Sequence, residues 1–566
     1  VPDVFAYVGS TWTSSATNRD KEHGELRITA LTAKGDKPVI KYPFTPPAGD
    51  DGDHHWIGQL GGITAHDGMI VASFNKLGSL LFVDARTGNV LGEAPAKSPR
   101  GLAFDAQGRL LVLSETKLLR IVLNSSAPAK FAVPQTLITQ GLQDPQGITL
   151  DAAGRIYISD RGNSHQVKVF SPDGKFLHAI GHAGAPKAGP YDALHMNNPH
   201  GLAIDGKQQL WVAENDFQPK RVSVWTLDGK FVRAFYGPGR YGGGGTLDPR
   251  DKTRFYYDGI EFKLDWKTGA NEPVSVFDRE GHDDVDSLFR AGPPQTPIYA
   301  GGRQYMTNCY NSNPTGGHPS ATIWLMKNGV TMPVAAFGRA NDWPVLKADA
   351  FKPRWPQGVD PNGDPQKNST LFVWSDLNGD SRVQPDEVTM VKAKTGGITV
   401  AQDLSFLDAR VDDRAMRFAP RRFTEKGAPV YDLSAGETLA EGAQSPASSG
   451  GDQVLVSPGG WTVLTVAPEP FAREGFGGLK DGKPLWSYPS LWPGLHASHE
   501  APVPDRPGEV IGSTRLLGDF ITPQKGDAGP VWCINGNMGD MYLLTADGLF
   551  VAQLFQDSRT GNHWTM

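Results

Sequence analysis

Two cysteines, Cys309 and Cys533, are all that this 566-residue chain carries. That excludes a disulfide framework and a thiolate-held metal cluster, leaving either one disulfide or two free thiols. Long apolar runs are also missing: none approaches the ~18 residues that a membrane-crossing helix needs. No sign of charge dominates, with 55 Lys and Arg against 61 Asp and Glu and a formal net charge of -6. Without a basic surplus or a Lys/Arg run, nucleic acid has no electrostatic hold on the chain. A nucleophile elbow, a phosphate loop and a haem-attachment motif are likewise absent. Glycine (67) and proline (44) are plentiful and evenly spread, as in a chain of many short strands joined by turns. The first residue is Val1, which suggests a processed chain relieved of a signal peptide and so a secreted or periplasmic location.

An internal repeat comes next. Pro99-Arg100-Gly101-Leu102-Ala103-Phe104-Asp105 leads into AQGRLLVLSE, Pro145-Gln146-Gly147-Ile148-Thr149-Leu150-Asp151 into AAGRIYISD, and Pro199-His200-Gly201-Leu202-Ala203-Ile204-Asp205 into GKQQLWVAE. A degenerate copy stands at Trp355-Pro356-Gln357-Gly358-Val359-Asp360, and an earlier one without proline at Gly61-Gly62-Ile63. In each, a Pro-x-Gly turn starts a β-branched strand, an Asp/Gly turn reverses it and an alternating apolar strand follows. A second hairpin closes the unit, with Asp-Gly turns at 173–174, 228–229 and 547–548. Glycine accepts positive φ there at little cost.

Four strands per unit of about 50 residues is the pattern of a propeller blade. These residues resemble the NHL repeat family, well over 56–237, less near 355–395 and faintly elsewhere. The resemblance implies an all-β fold, a β-propeller of NHL-like four-stranded blades, about eight in number, with insertions. Residues 1–400 are expected to form it, the N-terminal strands closing the ring. Residues 401–566 supply either further blades or a second β region, and 433–452 reads as a linker or exposed loop.

In such a fold the loops leading into the first strands open on one face, around the central channel. They carry Arg100, Gln146, His200 and Gln357, the candidate catalytic positions. The second strands end in Glu115, Asp160, Glu214 and Asp376, a ring of carboxylates that either faces a ligand or accepts backbone hydrogen bonds.

The sharpest local motif is the stretch from Asp376 to Glu387, DLNGDSRVQPDE. It resembles EF-hand and dockerin calcium loops. Asp376, Asn378 and Asp380 offer side-chain oxygens, Arg382 its carbonyl and Glu387 a bidentate carboxylate, which suits the oxygen-rich shell of Ca²⁺. Ser381 stands where glycine usually turns the loop. Flanking strands in place of helices mark the ion as structural.

Histidines raise a second metal. Gly52-Asp53-His54-His55-Trp56 and Pro199-His200 resemble ligand segments of the peptidylglycine amidating lyase family, zinc enzymes on an NHL propeller. That resemblance implies zinc on His54 and His200, with His499 or His496 as the third imidazole. A carbohydrate reading rests on aromatic clusters at Tyr236 and Tyr241, at Phe255-Tyr256-Tyr257 and at Trp486, Tyr488 and Trp492. Beside carboxylates, these suit sugar rings. The favoured expectation is a secreted, calcium-containing propeller that binds or cleaves an extracellular carbohydrate. A zinc lyase and a non-catalytic scaffold for a protein ligand stand as alternatives.

Overall fold

A computed structural model describes residues 60–215, 218–237, 245–279, 292–309, 319–365, 367–443, 452–457, 459–465, 475–489, 504–512, 516–536 and 540–555, with strands at 3–7, 11–18, 24–31, 37–44, 559–560 and 563–564 and a few isolated positions. Contacts divide the chain into two compact units. Unit 1 is Val1–Lys187 with Asp192–Pro238, and unit 2 is Ala188–Tyr191 with Gly239–Met566. Among the described residues no helix is long and apolar enough to cross a membrane.

Unit 1 holds five four-stranded antiparallel sheets among its described residues, each running in sequence order. Four of them begin at Leu60–His66, Pro99–Phe104, Pro145–Leu150 and Pro199–Ile204. These first strands lie side by side in that order. The apolar faces of successive sheets meet. Phe82 and Ala94 pack on Leu102 and Leu110, Leu111 and Leu113 on Ile156 and Ile158, and Tyr157 and Val169 on Val212 and Trp225. This is the blade-on-blade packing of the propeller fold, and it follows from strands whose two faces both alternate into a core.

The repeat motif has a physical reading residue by residue. A side chain on Gly61 would stand 2.3 Å from the Pro99 carbonyl oxygen. One on Gly101 would stand 2.7 Å from that of Gln146, and one on Gly147 2.2 Å from that of His200. At Gly61, Gly101 and Gly147 the next sheet's backbone thus passes where a side chain would stand, whereas Gly201 has only the Ala213 Cβ beside it, at 3.6 Å. The motif's aspartate staples the turn: Asp151 Oδ1 accepts from the Ala153 and Arg155 amides at 3.0 and 2.9 Å, and Asp105 and Asp205 do the same in their own turns. In the Asp-Gly hairpins, Gly174, Gly229 and Gly548 take φ of 87, 93 and 88°, as expected.

Unit 2 has broader sheets. One has five strands between 189 and 276, one has six between Thr296 and Lys392, and further sheets cover 398–440, 454–489 and 531–554. Its largest core joins Ile323, Phe337 and Leu371 of the six-stranded sheet to Phe406, Phe418 and Tyr431. The degenerate repeat at 355–360 departs from expectation. Residues 340–354 form three 3₁₀ turns, and the first strand after them is Thr370–Ser375. Pro344 and Pro353 cannot donate to a ladder, and Trp355 is buried with Nε1 donating to the Leu346 carbonyl at 2.8 Å. The segment caps the sheet instead of leading into a strand, and Gln357 sits exposed in a turn. Cys309 and Cys533 are free thiols.

Candidate functional site

At the end of unit 1 where the first strands begin, four charged or titratable side chains gather. Arg100 Nη1 donates to Asp144 Oδ1, and to the Pro145 carbonyl at 3.0 Å. Arg161 Nε donates to the other carboxylate oxygen of Asp144 at 2.9 Å. Gln146 is buried and fixes the same loop through the Asp144 carbonyl at 3.0 Å. His200 lies in the field of this group. Burial holds its imidazole below the ordinary value, the nearby guanidiniums of Arg161 and Arg100 push it further down, and Asp144 opposes them. Its ring is therefore neutral at neutral pH. Arg100, Arg161 and Asp144 keep 27, 30 and 33% of their side chains exposed, so a ligand can reach them. Two guanidiniums against one carboxylate leave a net positive patch.

Arg100, Gln146 and His200 are thus brought to one end of unit 1, whereas Gln357 belongs to unit 2. Asp144 and Arg161 were not singled out by sequence, although each flanks a repeat motif, just before Pro145 and just after Asp160.

The carboxylates at the ends of the second strands have structural partners. Asp160 is fully buried and accepts from the Gln143 and Asp144 amides at 3.1 and 2.6 Å and from Lys168 at 2.5 Å. Glu214 accepts from the Asn197 amide, Ser223 and Arg221 at 2.7, 2.8 and 2.7 Å. Burial raises its pKa, against Arg221 and these donors. Glu115 meets Lys97 at 2.7 Å on the surface. Asp160 and Glu214 hold their own loops and strands together, as backbone-capping carboxylates do.

In unit 2 the 376–387 loop joins paired strands, Thr370–Ser375 and Val388–Lys392, as the sequence implied. Asp376 accepts from the Gly379, Asp380 and Ser381 amides at 2.8, 3.1 and 3.2 Å. Ser381 itself takes φ of 58°, the conformation that glycine supplies in calcium loops. Glu387 accepts from the Leu377 amide at 2.7 Å and from Trp374 Nε1 at 3.0 Å. Burial pushes both carboxyls up; the charge of Asp380 adds to it at Asp376, and that of Asp376 at Glu387. Gln384 Oε1 is buried with no hydrogen-bond partner. Crowded carboxylates beside an unpaired carbonyl oxygen fit a hard cation.

His54, His496 and His499 lie outside the described residues, as do Tyr241 and Trp492. Among the described residues, the histidines that meet a shared carboxylate are His182 and His195, on either side of Asp192. Several expected sugar platforms are instead packing. Tyr256 is buried with its hydroxyl on Asp248 at 2.9 Å, and Trp486 and Tyr488 stack on Trp532 and Phe476 with ring centres 5.8 and 5.3 Å apart.

The NHL repeat family model matches residues 142–170, the strands that carry Gln146, Asp144, Asp160 and Arg161. The fold is a β-propeller, with an NHL repeat at 142–170. No curated protein matches it. Among solved structures, the nidogen/laminin complex is similar at 15% identity, covering 46% of this chain and 92% of that one, with a TM-score of 0.30. Virginiamycin B lyase from Staphylococcus aureus is similar at 14% identity, over 56% and 92%, with a TM-score of 0.25. The gluconolactonase XC5397 from Xanthomonas campestris is similar at 16% identity, over 42% and 78%, with a TM-score of 0.23.

Proposed function

We propose that this NHL-type propeller acts outside the cytoplasm, binding an acidic carbohydrate at the Arg100–Arg161 end of unit 1 and cleaving it there by β-elimination. The observation that carries this reading is the pair of guanidiniums sharing the single carboxylate of Asp144, with a neutral His200 in their field. Guanidiniums match a uronate carboxylate in shape and charge. Neutralising that carboxylate acidifies the adjacent C–H. His200 takes this proton, the C–H electrons form a C=C bond, and the C–O bond to the leaving sugar breaks as its oxygen is protonated by water. Calcium in the 376–387 loop completes the picture as a structural ion of unit 2. Asp376, Asn378, Asp380, Arg382 through its carbonyl and Glu387 would hold it. The serine at its turn suits the weaker sites used where calcium is abundant, outside the cell.

The test is a panel of uronate and neutral polysaccharides, read by binding calorimetry and by the ultraviolet absorbance of unsaturated uronates. Acidic sugars are expected to bind and to yield that absorbance. Arg100→Ala and Arg161→Ala are expected to weaken binding at least about ten-fold, and His200→Gln to abolish cleavage while binding persists. Failure of every acidic sugar to bind, or unchanged binding in the double arginine variant, sinks the reading.

A further inference from the structure

Between the strand Phe176–Ile180 and the strand Pro199–Ile204 of unit 1, the chain folds back so that 182 meets 194. The His182 amide donates to the Leu194 carbonyl at 2.8 Å, and the His195 amide to the Asp192 carbonyl at 3.2 Å. Arg221, fully buried against Glu214, grips the same segment from below through the Ala193 and His195 carbonyls at 3.0 and 2.6 Å. This frame sets three side chains around one point. Asp192 Oδ2 stands 2.7 Å from His182 Nδ1 and 3.2 Å from His195 Nδ1. One ligand atom from each lies within 4.8 Å of the others. We propose that His182, Asp192 and His195 form a binding site for one divalent transition-metal ion, zinc foremost, separate from the calcium loop.

The hydrogen bonds argue for it. His195 Nε2 lies 3.3 Å from the Ala183 carbonyl oxygen, which can only accept, a contact that suits the tautomer protonated at Nε2. In that tautomer the Nδ1 lone pair faces Asp192 Oδ2 at 3.2 Å, an arrangement that a cation between the two atoms would satisfy. Metal-bound imidazoles make this outer hydrogen bond, which fixes the ring's tautomer and direction. Asp192 Oδ1 is occupied by the Leu194 amide at 2.8 Å, which leaves Oδ2 turned to the histidines. Ligand atoms bound at about 2.0–2.1 Å to a tetrahedral ion stand about 3.3 Å apart; the Asp192–His195 pair is near that spacing at 3.2 Å, and the Asp192–His182 pair, a hydrogen bond at 2.7 Å, has to open by about half an ångström. Two imidazoles and one carboxylate suit zinc, cobalt, nickel or copper, whereas calcium and magnesium take oxygen shells. The side chains of His182, Asp192 and His195 are 53, 39 and 29% exposed, so the ion has a path in and a fourth position open to water.

The competing occupant of the gap is a proton, giving an imidazolium–carboxylate pair. Full-length protein stripped with a chelator and resupplied with calcium separates the two. Titrated with zinc chloride in a calorimeter, it is expected to take up one equivalent, and its melting temperature to rise. Asp192→Asn and His195→Ala are each expected to weaken uptake at least about ten-fold, with circular dichroism unchanged. Cobalt in the wild-type chain is expected to show the intense visible bands of a tetrahedral site, a readout that needs no variant. Absence of zinc uptake and of those bands, or equal uptake by the His182→Ala/His195→Ala variant, overturns the proposal.

Discussion

Asp408 is a carboxyl group with little to hold its charge. It is fully buried, its Oδ1 accepts from the Gly396 and Arg410 amides at 3.0 and 2.9 Å, and its Oδ2 has no hydrogen-bond partner. Burial pushes its pKa up to about 7, Asp452 adds to the rise, and the two amides and Arg410 oppose it. An unfolded aspartate titrates near ~3.9. In between, the folded chain holds a proton that the unfolded chain has released, so stability falls as pH rises through that window. Raising the pH from about 5 to about 8 is expected to lower the wild-type melting temperature more than that of Asp408→Asn, whose side chain stays neutral. Equal slopes in the two proteins would show that the carboxyl carries no such strain. Sequence offers no hint of this. Asp408 sits in FLDARV, where alternation alone would leave an aspartate facing solvent. His200, by contrast, was legible because the repeat fixes which position leads each sheet, and position there decides environment.

The 376–387 loop and the 182–195 loop differ in how far sequence reaches. In the first, all candidate ligands lie within twelve residues, so spacing displays them and the flanking strands show their setting. In the second, a buried arginine, Arg221, well along the chain, helps hold the fold-back that brings Asp192 to His182, and no local pattern encodes that. The 355–360 copy misled for a related reason. It repeats the Pro-x-Gly letters, but Gly358 has φ of 76° and no neighbour within 4 Å, so no second backbone passes it. The 376–387 loop brings its own reporter, since the Trp374 indole donates to Glu387. Calcium added to chelator-treated protein is expected to change tryptophan fluorescence in a saturable way, and Glu387→Gln to weaken the response at least about ten-fold. A flat titration with no calcium found by elemental analysis removes the ion from the loop.

At the scale of the whole molecule the chain divides at about residue 238, with 188–191 belonging to the second unit. The two units can be perturbed separately, because the 376–387 loop is in one and the Gly147 contact in the other. Scanning calorimetry is expected to resolve two transitions. Calcium should raise one, and Gly147→Ala should lower the other by about 1–3 kcal/mol, the cost of forcing a methyl group against the His200 carbonyl. A single transition moved by both perturbations would show one cooperative body instead. The β-fold and the sheets of 60–237 could be read from the repeat, because each Pro-x-Gly, Asp staple and Asp-Gly hairpin is a local event. The wider sheets of unit 2 could not, since their extra strands are recruited without a motif.

The glycine contacts have an evolutionary consequence. At Gly61, Gly101 and Gly147 the seam between neighbours is main chain against main chain. Such a seam is blind to side-chain identity. A duplicated copy of one unit inherits a main-chain edge that already fits its parent. Tandem gene duplication can lengthen an array of this kind with the glycine end of each joint already matched, which leaves only the apolar side chains between the sheets to co-adapt.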